Sequence, residues 1–432
     1  MKKNITKYLL LALACLGLQS CLFQEENYFD DSSANRATAD VSRCGELLKG
    51  APNGWVMEYY VGKDYSLGGI TLLCRFDGQR VTMASQMSEA DETVSSLYSV
   101  KSEQATMLSF DTYNYLVHYF GQPQGSMSDD PNGTLGGDYE FIISSASAER
   151  IELKGKKYGN RIVMKALTED QTWKQYLTKI KKVEDDAFFY EYDLLMDGLY
   201  TGQMIRSNYT FIVTYYDEIG KVHQKTVPFM FTADGLRFHE PVTIDGQTMQ
   251  NFVWKNELIS FVCTDEGATG VKLAGVYTAG YQSYDYYPGT YQMDFYRLND
   301  ETGQLEVASQ EVRLLKNEDG KSYWLKGLEY DILVMYDKPR GGLSVSPQLL
   351  KKVQGGYVYL AMWDVMNDYV LRGESIGLIS YATTNGIYLV DNGVWMGEVS
   401  GFIFGVYNSQ EEDAAFIGYT DAVASIRLVK KQ

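Results

Sequence analysis

Short apolar runs separated by turn residues recur along most of the chain, and they constrain its fold more than any other feature. Trp55–Tyr60, Ile70–Phe76 and Thr290–Tyr296 are examples of such runs. The dipeptides Asp77-Gly78, Asn385-Gly386 and Asn392-Gly393 are typical of tight β-hairpin turns, the last of them between strands predicted at Tyr388–Val390 and Val394–Met396. The 35 Tyr, 18 Phe and 40 Gly, with only 8 Pro, also suit pleated, half-buried surfaces. We therefore predict a mainly β fold, a β-rich α+β protein of antiparallel sheets, whose C-terminal β-meander is a barrel or a sandwich.

A few short helices are predicted among these strands. Ala34–Lys49 carries apolar residues at helical spacing and is followed by Gly50, a common helix stop. Thr168 and Gln171 have the spacing of a capping box ahead of the apolar stripe in 173–180. Ser346–Gly355 reads Ser-Pro at its start and Gly at its end, which predicts a further helix.

The N-terminus has the pattern of a lipoprotein export signal. Three lysines precede the apolar run Tyr8–Leu18, which is too short to span a bilayer as a helix. The run ends in Leu18-Gln-Ser-Cys21, so cleavage after residue 20 would leave Cys21 as the first residue, acylated with chains such as palmitate. Several acyl chains give firm anchoring, so we expect a membrane attachment through this lipid alone.

The remaining chain is long enough for two or three domains. We predict a signal peptide over 1–20, a flexible acidic tether over 21–33, an N-terminal β-rich domain over 34–270 and a C-terminal β-meander over 271–432. The glycine-rich stretch 266–270 is the predicted joint between the last two.

Charge and ligand-forming residues exclude several classes of protein. The net charge of −17 becomes −20 when residues 1–20 are removed, because three lysines and no acidic residue leave with them. A nucleic-acid partner is therefore not expected. With three His and no HExxH motif we also predict no metal centre and no cofactor. Cys44, Cys74 and Cys263 are expected to be small buried apolar residues.

Several sequence blocks carry a likeness to a known family. They are Leu108–Asn114 (LSFDTYN), Gly136–Phe141 (GGDYEF) and Leu153–Asn160 (LKGKKYGN), with His118, Pro123, Arg36 and Gly54-Trp55 as further positions. In these blocks the chain resembles a lipoprotein family of gut Bacteroidota, domain-of-unknown-function family 4302, from about 28 to 178 and more faintly to 263. The resemblance implies a place in nutrient-import loci, near outer-membrane transporters and sometimes a zinc metallohydrolase lipoprotein. It brings no catalytic residues with it.

The first of these blocks and its surroundings also hold the most concentrated polar residues. Asp111, Asn114, His118 and Asp138 are predicted to form a buried polar network that orients a loop. An alternative is a catalytic Asp111–His118 dyad with Ser109 or Ser126 as nucleophile, although no strained nucleophile turn accompanies it. We assign no catalytic residue.

A weaker possibility in the same region is a calcium site. Asp129, Asp130, Asn132 and Asp138 offer oxygen ligands in a glycine-rich stretch, but their spacing fits no EF-hand loop. The Asp-Pro-Asn-Gly sequence is also a good turn on its own.

Aromatic residues provide the candidates for ligand binding. The densest aromatic stretch is Tyr277–Tyr296, in which the alternating Tyr291, Met293 and Phe295 fit a buried strand face. The residues predicted to lie in exposed loops and to contact a ligand are Tyr284, Tyr286, Tyr287, Trp363 and Trp395.

These features favour a non-catalytic, lipid-anchored accessory protein on the outward face of the outer membrane that captures a glycan or peptide for a nutrient importer. Anchoring beside a transporter would raise the effective ligand concentration without a tight site. A surface hydrolase acting on glycan or peptide, or a structural or adhesin subunit, are the alternatives that the sequence leaves open.

Overall fold

The computed structural model describes residues 32–124, 133–217, 219–299, 301–373, 375–411 and 413–431. Within them the chain divides into two compact units. The first holds the residues up to 183 together with 208–210 and 227–242. The second holds 184–207, 211–226 and the residues from 243 onward.

Eight antiparallel strands close into a first barrel, in which β1 pairs with both β2 and β8. Trp55, Tyr59 and Phe141 are fully buried in its core, together with alternating residues of the other strands. The strands are β1 (Trp55–Val61), β2 (Gly68–Phe76), β3 (Arg80–Ser85), β4 (Val94–Ser102), β5 (Thr106–Phe110), β6 (Glu140–Ala146), β7 (Arg150–Gly155) and β8 (Arg161–Ala166).

Helix α1 (Ser33–Lys49) precedes this barrel, and its predicted extent is confirmed. The Ser32 side chain caps it by accepting a hydrogen bond from the Asn35 backbone N–H at 3.1 Å, and Gly50 follows its last turn. Cys44 and Leu48 are buried, and the Trp55 indole donates to the Leu48 carbonyl at 2.8 Å. The helix therefore covers the barrel with its apolar stripe.

Two further α-helices follow, α2 (Tyr115–His118) and α3 (Trp173–Asp186). The capping box of α3 is real but lies one turn later than predicted from Thr168. Thr172 Oγ1 accepts from the Gln175 N–H at 3.2 Å, and Gln175 Oε1 accepts from the Thr172 N–H at 2.9 Å. Both positions have the Thr-x-x-Gln spacing, so spacing alone could not separate them.

A second closed barrel of eight antiparallel strands follows, and β9 closes it by pairing with β10 and β16. The stretch 266–270, predicted as a joint between domains, is instead the turn between the last two strands of this barrel. The strands are β9 (Glu191–Met196), β10 (Leu199–Ser207), β11 (Thr210–Tyr216), β12 (Val222–Phe231), β13 (Gly235–Ile244), β14 (Gln247–Lys255), β15 (Ser260–Cys263) and β16 (Val271–Val276).

The last part of the chain forms a twelve-stranded antiparallel sheet, and eight of its strands close into a third barrel because β28 pairs with both β26 and β17. The other four, β22, β23, β24 and β27, extend the sheet beyond the closed part. The strands are β17 (Gly289–Leu298), β18 (Leu305–Lys316), β19 (Ser322–Lys326), β20 (Ile332–Asp337), β21 (Gly342–Val345), β22 (Gln348–Val353), β23 (Gly356–Asp364), β24 (Tyr369–Leu371), β25 (Leu378–Thr383), β26 (Gly386–Asp391), β27 (Gly401–Tyr407) and β28 (Phe416–Lys430).

The mainly β, antiparallel fold class is thus confirmed, and the C-terminal part is a barrel with an extension. The helix predicted over Ser346–Gly355 is wrong, because this segment forms β22. Gln348 fixes it there, accepting from the Leu333 N–H at 2.8 Å and donating to the Leu333 carbonyl at 2.9 Å. Pairing with β23 therefore outweighs the local helix signals.

Local turn signals gave one correct hairpin and one wrong one in this part of the chain. Asn385-Gly386 joins β25 to β26 as predicted. Asn392-Gly393 does not join two strands, because 392–400 is a loop between β26 and β27.

The three cysteines Cys44, Cys74 and Cys263 are free and buried, as predicted. In the described part of the chain, none of the helices is both long enough and apolar enough to cross a membrane.

Candidate functional site

Among the tyrosines predicted to bind a ligand, only Tyr286 has a well-exposed ring, at 40% exposure. Tyr287 is 1% exposed and donates its hydroxyl to the Gly341 carbonyl at 2.8 Å, so it belongs to the core and its assignment as a ligand contact is wrong. Tyr284 is half-buried and stacks on Tyr323 with 4.7 Å between ring centroids. Its hydroxyl donates to the Ser322 carbonyl at 2.8 Å, which leaves it largely structural.

The two candidate tryptophans differ in the same way. Trp363 on β23 is 4% exposed and packs with Ile403 and Ala422, so it too was wrongly assigned as a ligand contact. Trp395 lies in the 392–400 loop and is half-buried. Its ring meets that of Tyr369 edge to face, with centroids 5.9 Å apart. Trp395 is therefore the candidate that lies at a surface beside another aromatic ring.

Exposed apolar residues flank Trp395 in two segments of the second unit, the 392–400 loop and the loop that leads from β23 into Tyr369 of β24. Met396 is 95% exposed, Met366 85%, Tyr369 56% and Val394 54%. We call Met366, Tyr369, Val394, Trp395 and Met396 the loop cluster. Large apolar side chains that are exposed near one another are typical of interaction surfaces.

A buried carboxylate, Asp364 at the end of β23, holds both loops. Asp364 Oδ1 accepts from the Asn367 N–H at 3.1 Å, and Oδ2 accepts from the Asn367 side-chain amide at 2.9 Å, which fixes the first loop. Oδ2 also accepts from the Trp395 indole at 3.3 Å and the Glu398 N–H at 3.4 Å, which fixes the second. The loop cluster is therefore held in place by one side chain.

The local electrostatics and packing agree with this role. The Asn367 amide and the other donors hold the pKa of Asp364 below its usual value, so the group is an anion at neutral pH. Gly397 leaves room for it, because a Cβ at that position would lie 2.1 Å from Asp364 Oδ2. Substituting a larger residue there would force the second loop away from its anchor.

The polar residues predicted to form one network are divided among separate arrangements. Asn114 caps α2 by accepting from the Leu116 N–H at 3.2 Å, and its amide donates to Ser96 Oγ at 3.1 Å. His118 Nδ1 lies 3.0 Å from the Asn114 carbonyl. Asp111 is exposed and accepts from Ser99 Oγ at 3.1 Å. The structure brings Asn114 and His118 together and leaves Asp111 outside their contact.

Asp138 is buried at the turn that follows β7. Its carboxylate accepts from the Lys157 N–H at 2.7 Å and the Tyr158 N–H at 3.1 Å. Burial raises the pKa of this carboxyl above its usual value. Gly155 is required beside it, since a Cβ there would lie 2.0 Å from Asp138 Oδ2. Asp138 therefore orders the turn after β7, apart from the contact between Asn114 and His118.

The other calcium candidates, Asp129, Asp130 and Asn132, lie outside the described residues. Within 32–124 and 133–431, apart from the gaps given above, no three His, Cys, Asp or Glu side chains are grouped closely enough to hold a metal ion.

Comparison with known protein families assigns most of the chain to two of them. Residues 25–256, more than half of the chain, match the domain of unknown function DUF4302. The chain belongs to the DUF4302 family. Residues 264–404 match a second domain of unknown function, DUF4987, which covers most of the part that carries the loop cluster.

Comparisons of this DUF4302 protein with curated proteins and with solved structures give no indication of its function. No curated protein matches it. A protein of unknown function from the DUF3598 family of Nostoc punctiforme PCC 73102 is 8% identical, with a TM-score of 0.14, over 56% of this chain and 98% of that one. Intact Ap-TbpB, with N and C lobes, is 11% identical with a TM-score of 0.15, over 88% of this chain and 76% of that one. At these TM-scores neither structure bears on function.

The sequence pointed to one member of the loop cluster, Trp395, and missed the rest. Met366 and Tyr369 carry no local signal, because only the shared anchor Asp364 brings them near Trp395. Val394-Trp-Met396 did carry a local signal, because three consecutive apolar residues lie between Gly393 and Gly397. The sequence predicted a strand there, but the segment is a loop and does not pair, and this leaves Val394 and Met396 exposed.

Proposed function

We propose that this DUF4302 protein is a non-catalytic ligand-binding protein of the cell surface, held on the outer membrane by lipid on Cys21. It captures a glycan or peptide and passes it to an outer-membrane nutrient importer. The lipoprotein signal at the N-terminus supports the anchoring. The partners are the membrane, through the lipid, and the transporter with its accessory lipoproteins.

The observation that carries this proposal is the loop cluster. Two methionines, a tyrosine and a valine are exposed, and with the half-buried Trp395 they lie on two segments that Asp364 holds together. Aromatic rings give large contact area at low cost in conformational entropy, and methionine adapts to irregular partners. Because Asp364 holds the loops before any ligand arrives, less ordering entropy is lost on binding.

Tethering explains how such a surface can work with modest affinity. A lipid-anchored protein next to a transporter keeps its bound ligand at high effective concentration near the entry to the channel. The strongly negative charge of the chain keeps neighbouring copies apart at a crowded surface.

Binding to cells that display the full-length protein tests the proposal. The variant combines Met366→Ser, Trp395→Ala and Met396→Ser, and the matched control replaces exposed apolar residues elsewhere in the same unit, Val307→Ser with Leu349→Ser. Labelled dietary polysaccharides and casein peptides are the probes. We expect the cells to retain one of these probes, with retention reduced in the loop-cluster variant and unchanged in the control. Equal retention by the loop-cluster variant, or none by wild type, would refute the proposed function.

A further inference from the structure

A second surface feature lies in the first unit, well separated in sequence from the loop cluster. It is an open cleft of about 390 Å³ beside the start of α3. This volume falls in the lower part of the range of small-molecule sites, about 300–1,000 Å³. Its walls include Asn53, Arg75, Glu169, Gln171, Trp173 and Gln175.

An aromatic ring forms one wall of the cleft and is held rigidly. The Trp173 indole donates to the Asn53 carbonyl at 2.7 Å. The Asn53 amide in turn donates to the carbonyls of Thr168 at 2.7 Å and Gln171 at 2.8 Å, which fixes the loop ahead of α3. Gly54 allows this approach, since a Cβ there would lie 3.0 Å from Trp173 Cζ2 and 2.5 Å from the Cys74 carbonyl oxygen.

Planar polar groups surround this ring. The Arg75 guanidinium lies 5.7 Å from the centre of the Trp173 ring, is exposed, and forms no ion pair with any residue that the structure describes. Gln171 Oε1 is buried and, among those residues, has no hydrogen-bond donor. A buried acceptor without a donor is unfavourable, and a ligand hydroxyl would satisfy it once the Gln171 side chain turns toward the cleft.

The charges of the cleft select against anions. Glu169 and Asp170 contribute two negative charges and Arg75 one positive charge, in a chain whose net charge is −17. A phosphate or carboxylate ligand would meet repulsion here, whereas an uncharged ligand would not.

We propose that this cleft binds a neutral saccharide. The C–H face of a pyranose ring would pack against Trp173, while its hydroxyl groups would pair with the guanidinium and the amides, which offer both donors and acceptors. A peptide fits less well, because the cleft is polar and the barrel beside it is closed and offers no strand edge for pairing. This site is distinct from the loop cluster and does not depend on it.

Titration calorimetry of the full-length chain with maltohexaose, cellohexaose, xylohexaose and mannohexaose tests the inference. At least one of these probes should bind, and Trp173→Ala should weaken its binding by about 30-fold, the loss typical of an aromatic anchor. Arg75→Ala should weaken binding as well, and it is the safer variant for folding because Arg75 is exposed. Lys174→Ala is the matched control, since Lys174 pairs with Asp91 at 2.8 Å and does not line the cleft.

Fluorescence provides an independent measurement, because saccharide packing on Trp173 should change the indole emission and Trp173→Phe should remove that change. The inference is overturned if none of the four oligosaccharides binds, if casein peptides bind here instead, or if binding is unchanged in both Trp173→Ala and Arg75→Ala. The loop-cluster variant separates this site from the proposed function: it should leave oligosaccharide binding in the cleft unaffected.

Discussion

Replacing Glu58 by Gln should lower the free energy of unfolding of the first unit by about 3 kcal/mol, because it removes the counter-charge of a partly buried arginine. Glu58 is 7% exposed and lies between two cations. One carboxylate oxygen accepts from Lys165 Nζ at 2.8 Å, and the other accepts from the Arg237 guanidinium. Gln keeps the shape of the side chain but removes its charge, so Arg237 would remain partly buried without a counter-charge.

The size of this loss of stability follows from how deeply the Glu58–Arg237 and Glu58–Lys165 ion pairs are buried. Removing one partner of a buried ion pair costs about 3–5 kcal/mol, and an exposed pair contributes about 0–1 kcal/mol. The Arg237 side chain is 20% exposed and that of Lys165 is 41% exposed. The Arg237 pair therefore dominates, at the lower end of the buried range, and the Lys165 pair adds little.

Hydrogen exchange measured by mass spectrometry suits this prediction, because it reports the stability of each unit separately. Amides of β1 and β8 should exchange faster, and the melting temperature of the first unit should fall by about 6–12 °C. Glu152→Gln is the matched control, since Glu152 pairs with Arg150 and Arg161 at the surface and should cost less than about 1 kcal/mol.

A double variant provides a further check. Glu58→Met with Arg237→Met replaces both charges by apolar groups and should recover most of the lost stability. The reasoning fails if Glu58→Gln costs no more than Glu152→Gln, or if the double variant is less stable than the single one.

Three other changes follow from the structure. Gly397→Ala should displace Trp395 from Asp364, because the new Cβ would lie 2.1 Å from Asp364 Oδ2; faster hydrogen exchange over 392–400 would show it, and unchanged exchange would count against the anchor. Tyr287→Ala should cost about 3–5 kcal/mol as a large buried side chain is lost, whereas Tyr286→Ala should stay within about 0.5 kcal/mol, as chemical denaturation would show; similar costs would contradict their assigned burial. Asp138 has a raised pKa, so the folded chain binds its proton more tightly than the unfolded chain, and this contribution to stability should fall as pH rises from about 4 through the raised value. Asp138→Asn should flatten that slope in urea titrations at several pH values, and an unchanged slope would show that other groups cause it.

Features set by neighbouring residues were predictable from sequence. Asp77 accepts from the Gln79 and Arg80 N–H groups at 3.0 and 2.7 Å, so the Asp-Gly turn between β2 and β3 depends on residues within one turn. The extent of α1 was predictable for the same reason, since its apolar spacing and its stop signal lie within the segment itself.

Features that depend on pairing between strands far apart in the sequence were not predictable in this way. The closure of each barrel depends on pairs such as β9 with β16 and β17 with β28, which no local pattern specifies. The segment at Ser346 shows the consequence, since good helix signals there give way to pairing with β23. Tyr286 and Tyr287 are adjacent in sequence, and only the tertiary fold decides that one is exposed and the other buried.

The candidate site illustrates the same limit. Trp395 could be selected from the sequence as a large ring in a loop, but its partners could not. Asp364 appeared to be an ordinary acidic residue at the end of a strand, and its role is visible only when the donors of two loops converge on it.

Photo-crosslinking on living cells tests the central claim most directly. A benzophenone amino acid replaces Met396 in the loop cluster, or Val307 as a control of comparable exposure in the same unit. Cells are then supplied with labelled dietary polysaccharides and casein peptides. We expect the label to crosslink at position 396 and not at 307. Labelling at 307 alone, or equal labelling at both positions, would contradict ligand capture by the loop cluster.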